Sequence, residues 1–149
     1  MLKHSKFLLA GIILLATALR FFQISASPPA LNWDEISHGY NAYSILKTGK
    51  DEWGVSWPTI FRAYGDYKLS AYTYLTSISE AFFGLNEFAV RLPSAFAGVL
   101  TVIFTYLLAN RLFTKQVGLV SAFLVAVVPW SLFLSRAGLE ANLALALAA

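Results

Sequence analysis

The chain has 149 residues, 58% hydrophobic and 13% charged, with a net charge of +3, no cysteine and a mean hydropathy of +0.63. Soluble domains carry about 25% charged residues, so this composition points to a membrane protein. It excludes disulfides and thiolate metal sites, and with no basic cluster it gives no support to a nucleic-acid partner.

Phe7 to Leu19 is an uncharged run preceded by Lys3, His4 and Lys6. With Arg20 to Ile24 it reaches the roughly 20 residues that cross a bilayer. A basic start, a short apolar core and the following Ile24-Ser-Ala-Ser-Pro-Pro also fit a signal peptide. Further apolar runs downstream favour an uncleaved span over about 7–26.

Residues 31–50 read LNWDEISHGYNAYSILKTGK. Asn32 and Glu35 have the spacing of a capping box, and the helix they open should run to about Thr48, with Gly49 as its stop. Ile36, Tyr40, Tyr43 and Leu46 form its apolar face, which should lie along the membrane. The adjacent carboxylates Asp34 and Glu35 then have two readings. Both suit a helix N-terminus electrostatically, and either could accept a proton from a hydroxyl nucleophile.

Leu69 to Gly84 has apolar residues at helical spacing (Tyr72, Leu75, Ile78, Phe82) but also carries Glu80 and several hydroxyls. A lipid-facing Glu80 would be costly in a span, so the segment reads as an amphipathic helix on or dipping into the membrane. Leu92 to Ala109 and Val117 to Ser135 are uncharged and define spans over about 91–112 and 116–136, with another starting at 140. Pro93 falls in the first turn of its helix, and Pro129 kinks the next.

Charge sets the topology. With the N-terminus cytoplasmic, Lys3, Lys6, Arg111 and Lys115 are inside and every acidic residue lies outside, as the positive-inside rule asks. Residues 27–90 then form a long external loop, and Asp34, Glu35, Lys68, Arg91, Arg136 and Glu140 converge on the external face. A carboxylate base beside lysine and arginine phosphate clamps suits group transfer from a phosphate-linked lipid. The chain reads as the N-terminal part of a longer protein.

The stretches WDEISHGYNAYSILKTGKDEWG, FRAYGDYK, FGLNEFAVRLPSAFAG and PWSLFLSRAGLEANLAL resemble, in family order, the N-terminal part of the GT-C superfamily of phospholipid-carrier-dependent glycosyltransferases. The chain is similar to protein O-mannosyltransferases and aminoarabinose transferases. The resemblance implies an all-α multi-pass membrane protein, part of a GT-C transmembrane bundle with amphipathic juxtamembrane helices in the first external loop. It implies Asp34 as catalytic base with Glu35 as its partner. It also implies substrate-binding roles for Lys68, at the carrier phosphate, and for Arg91, Arg136 and Glu140. Many relatives carry Lys-Pro-Pro-Leu where this chain has Lys68-Leu69-Ser70-Ala71, so the backbone beside the lysine differs.

The implied reaction is inverting transfer of a sugar from a polyprenyl-phosphate carrier to an acceptor hydroxyl, at the external face of the plasma membrane. Neither sugar nor acceptor is readable. Some relatives use a divalent metal, which Asp34, Glu35 and Glu140 could hold through oxygens. The rival reading is a non-catalytic multi-pass protein, a transporter piece or an assembly subunit. There Lys68 snorkels, the arginines and Glu140 are helix-end charges, His38 is an interfacial polar residue, the tryptophans form interface belts, and Asp66 is a solvated loop charge near the lysine. Co-location of Asp34, Lys68 and Glu140 separates the two.

Overall fold

The computed structural model describes residues 2–149, with side chains from Ser5 onward; the charge assigned to Lys3 lies outside the described side chains. The first helix, α1 (Leu2–Phe21), closes before the expected residue 26. Gln23 takes a left-handed conformation (φ 49°), and Pro28-Pro29 prevent the helix from resuming. Helix α2 (Trp33–Thr48) begins at the Asn32/Glu35 capping box and ends at Gly49, whose φ of 70° is the left-handed stop expected of it.

A β-hairpin follows, which the all-α reading did not include. Strands β1 (Ile60–Ala63) and β2 (Asp66–Leu69) pair antiparallel, with Phe61 opposite Lys68 and Arg62 opposite Tyr67. Tyr64 and Gly65 join them, both at positive φ (45° and 84°), the backbone that a two-residue type I′ hairpin turn requires. The chain is mostly helical, and this hairpin is the exception to an all-α reading.

Helix α3 (Ser70–Phe83) leads to α4 (Glu87–Leu112), which Asn86 caps by accepting from the Ala89 N–H. That cap starts α4 earlier than the apolar run suggests, so Pro93 lies inside the helix and not in its first turn. Helices α5 (Lys115–Val127) and α6 (Pro129–Arg136) are the two halves of a segment bent by 57° at Val128–Pro129. Helix α7 (Glu140–Ala148) completes the described chain. Among the described residues, α4 is long and apolar enough to cross a membrane, and α5 with α6 qualifies if the bent pair is one span.

Helix α4 packs against α1, α3, α5, α6 and α7. The contacts use small residues: Ala16, Ala122 and Ala126 are fully buried with Val102. Gly98 shows why. A Cβ there would collide with Ser135 Oγ and stand 2.7 Å from Arg20 Nε. Large apolar side chains such as Phe7, Leu14, Phe96, Leu107 and Phe123 point outward, while Arg20, Glu35, Thr73, Thr76, Arg91 and Asn142 are buried. Polar inside and apolar outside is the arrangement for an apolar surrounding, where helix contacts depend on close packing and internal hydrogen bonds.

Candidate active site

The acidic pair divides at once. Glu35 is 1% exposed, and both its oxygens are occupied. Its Oε2 accepts from Asn32 N–H at 2.8 Å, completing the capping box. Its Oε1 accepts from Arg91 Nε at 2.7 Å and from Gly138 N–H at 2.9 Å. Arg91, fully buried, uses its remaining donors on the carbonyls of Ile24, Pro28 and Ala30 at 2.8–2.9 Å and on Glu35 Oε2 at 3.4 Å. Four segments meet here: the turn after α1, the start of α2, the first turns of α4 and the α6–α7 connection. Gly138 is needed for that approach, because a Cβ there would lie 3.0 Å from Tyr72 Oη and 3.1 Å from Glu35 Cγ.

Asp34 points the other way. Its Oδ1 stands 2.8 Å from Lys68 Nζ, and the side chain is 42% exposed. Lys68 also meets Asp66 Oδ2 at 3.0 Å. The hydrogen bond from Lys68 to Asp34 outweighs desolvation and raises the ammonium's pKa, keeping it charged. Asp66 is held below the usual carboxylate range, first by the Tyr67 N–H that it accepts and then by Lys68. Glu140, in the first turn of α7, accepts the Leu69 N–H at 2.8 Å and so ties that helix to the end of β2. Asp34 and Asp66 thus meet at the Lys68 ammonium, and Glu140 reaches the backbone of the next residue, Leu69.

Arg136 does not join them. It donates to the carbonyls of Leu19 (2.7 Å), Phe22 and Ser27 (2.9 Å each), closing the C-terminal end of α1. Two features escaped the sequence reading. Arg20 is fully buried and donates to the carbonyls of Val125 (3.2 Å) and Ala126 (3.1 Å). Pro129 supplies no N–H to Val125, so Arg20 satisfies acceptors that the break leaves open. A charged residue in an apolar run and a proline in another were the available signal.

The second feature is a polar seam between α2 and α3. His38 is buried, not interfacial. Its Nδ1 is 2.8 Å from Thr73 Oγ1, and burial pushes its pKa down to about 4, leaving it neutral at pH 7. Glu80 faces the same seam, 3% exposed, and burial pushes its pKa up to about 8. The outward face of α3 is Leu75, Ile78 and Phe82, and that of α2 is Ile36, Tyr40, Tyr43 and Leu46. Both helices are amphipathic as expected, with their polar faces turned towards each other.

A divalent metal held by Asp34, Glu35 and Glu140 does not fit this arrangement. Glu35's oxygens already carry Arg91, Asn32 and Gly138 contacts, and among the described residues no group of three or more His, Asp or Glu side chains could hold a metal.

Residues 71–149, more than half of the chain, match the model of the dolichyl-phosphate-mannose-protein mannosyltransferase family. The matched region contains Arg91, Arg136 and Glu140; Asp34, Glu35 and Lys68 precede it. No curated protein and no solved structure matches the chain.

Proposed function

The chain belongs to the dolichyl-phosphate-mannose-protein mannosyltransferase family, a glycosyltransferase type, and we propose that it acts in a multi-pass, inverting transferase that uses a polyprenyl-phosphate sugar. The N-terminus is cytoplasmic and the reacting face external, with residues 27–90 as the external loop. The observation that supports this reading is the partly exposed Asp34–Lys68 ion pair, with Glu140 bonded to the backbone of the adjoining Leu69.

In this mechanism the acceptor oxygen attacks the anomeric carbon as Asp34 takes its proton. The new oxygen–carbon bond forms with inversion. The bond from carbon to the carrier phosphate breaks, and the phosphate leaves with the electron pair towards Lys68. Fixed charge placed where charge develops lowers the barrier. Glu35 and Arg91 act by holding α2 and α4 in register, Arg136 by closing α1, and Glu140 by fixing the backbone next to Lys68. The rival reading, a non-catalytic scaffold, gains from the internal use of Arg91 and Arg136 but leaves the exposed Asp34–Lys68 pair without a purpose.

Asp34→Asn in the full-length protein should reduce sugar transfer by about 10²-fold or more, the range for removing a general base, with an unchanged melting temperature. Transfer at the wild-type rate would refute the base assignment.

A further inference from the structure

The charges around Lys68 do not balance. Asp34 and Asp66 stand against one ammonium, and Glu140 adds a carboxylate on the N–H of the adjoining Leu69. Behind them, Arg91 is neutralised by Glu35 and His38 is neutral at pH 7. An incoming phosphate adds further negative charge, and the Lys68 ammonium that would receive it is already bound to the base. Lys68 must therefore change partners before Asp34 can work, because an oxygen that accepts from an ammonium at 2.8 Å is a poor proton acceptor.

The hairpin supplies the alternative partner. Asp66 and Lys68 are two residues apart on β2, so their side chains lie on the same face of the strand. Asp66 directly follows the rigid Tyr64–Gly65 turn, and its Oδ1 accepts the Tyr67 N–H at 2.7 Å, which fixes the carboxylate. Its other oxygen already touches Lys68. Lys68 can then rotate away from Asp34 without losing its counter-charge or its charged state.

We propose that Asp66 is a positioning residue: it holds the Lys68 ammonium during the exchange by which an arriving carrier phosphate frees Asp34 to act as base. The inference rests on the transferase reading above. Without Asp66, Asp34 becomes the ammonium's sole carboxylate partner in this cluster and is masked more firmly, while the site loses one negative charge. The expected signature is a fall in kcat with no rise in the KM for the donor. An aspartate that merely aimed Lys68 at phosphate would do the reverse.

The experiment measures steady-state transfer by the full-length protein at varied polyprenyl-phosphate sugar, for wild type, Asp66→Asn, Asp66→Glu and Asp34→Asn. A roughly tenfold lower kcat in Asp66→Asn, unchanged or lower donor KM, partial recovery in Asp66→Glu and wild-type melting temperatures would support the proposal. A raised KM at wild-type kcat, or wild-type kinetics throughout, would overturn it. Active Asp34→Asn would remove the base assignment on which this inference rests, and no transfer by the wild type would remove the transferase reading itself. Inactive Asp34→Asn beside an unaffected Asp66→Asn would remove this inference alone.

Discussion

Arg91→Met should unfold the site, whereas Asp34→Asn should only silence it. Methionine fills similar apolar volume but removes every hydrogen bond that Arg91 makes: two to Glu35 and three to the carbonyls of Ile24, Pro28 and Ala30. Glu35 then remains 1% exposed with no counter-charge. Breaking a buried pair in this way costs about 3–5 kcal/mol. For a chain of this size each kcal/mol moves the melting temperature by about 2–4 °C, so the expected loss is about 6–20 °C. The full-length protein can be followed in detergent by tryptophan fluorescence on heating. The double variant Glu35→Gln/Arg91→Met removes the stranded charge while Gln keeps an acceptor for the Asn32 N–H, and it should recover at least half of the loss. A melting temperature within about 2 °C of wild type for Arg91→Met, together with lost transfer, would refute the reasoning and return Arg91 to the substrate.

Glu80 makes stability depend on pH. Its carboxyl has a pKa of about 8 when folded against an ordinary 4.5, so the folded state binds the extra proton between those values and stability falls as pH rises from 4.5 to 8. Thermal unfolding at pH 5 and pH 8 should show that decline in wild type and a flatter profile in Glu80→Gln; equal slopes would refute the assignment. Gly98→Ala should destabilise by about 1–3 kcal/mol, the usual cost of overpacking, because the methyl meets Ser135 and Arg20; an unchanged melting temperature would mean that α4 and α6 do not approach this closely. Cysteines placed singly at Ser56 and Thr114, in a chain with no other cysteine, should be modified from outside and inside respectively by an impermeant thiol reagent; outside labelling at Thr114 would overturn the proposed orientation.

What the sequence revealed was what short-range physics controls. The limits of α2 were legible because Asn32, Glu35 and Gly49 each have a local stereochemical reason to stand where they do. The helix at Ser70–Phe83 was legible from its period. The hairpin was missed because its strands are four residues each, too short for the alternation Asp66-Tyr67-Lys68-Leu69 to stand out; Tyr64-Gly65 was the turn signal, and a tyrosine at positive φ is an uncommon turn residue. The internal hydrogen bonds of the arginines were not legible for a different reason. From sequence Arg91 and Arg136 could each serve a substrate or a backbone, and the choice depends on carbonyls more than 60 and 100 residues away. Arg20 belongs to the same class, since the acceptors it satisfies exist only because Pro129 interrupts a different helix.

The division within the acidic pair follows from helix geometry alone. Successive residues on a helix point about 100° apart, so two adjacent carboxylates at a helix N-terminus are aimed in different directions. Glu35 is at the third helical position, from which a side chain can return to the N-cap, and that is also the direction of Arg91 and Gly138. Asp34 is turned away to the rim, where the hairpin brings Lys68. The buried member fixes the helix that aims the exposed one, and the two roles are therefore not exchangeable. Asp34 can lose its charge without disturbing the fold, because its side chain is 42% exposed and an ion pair open to solvent on that side contributes about 1 kcal/mol or less. Glu35 cannot, because the N-cap of α2 and its ties to Arg91 and Gly138 all end on its two oxygens.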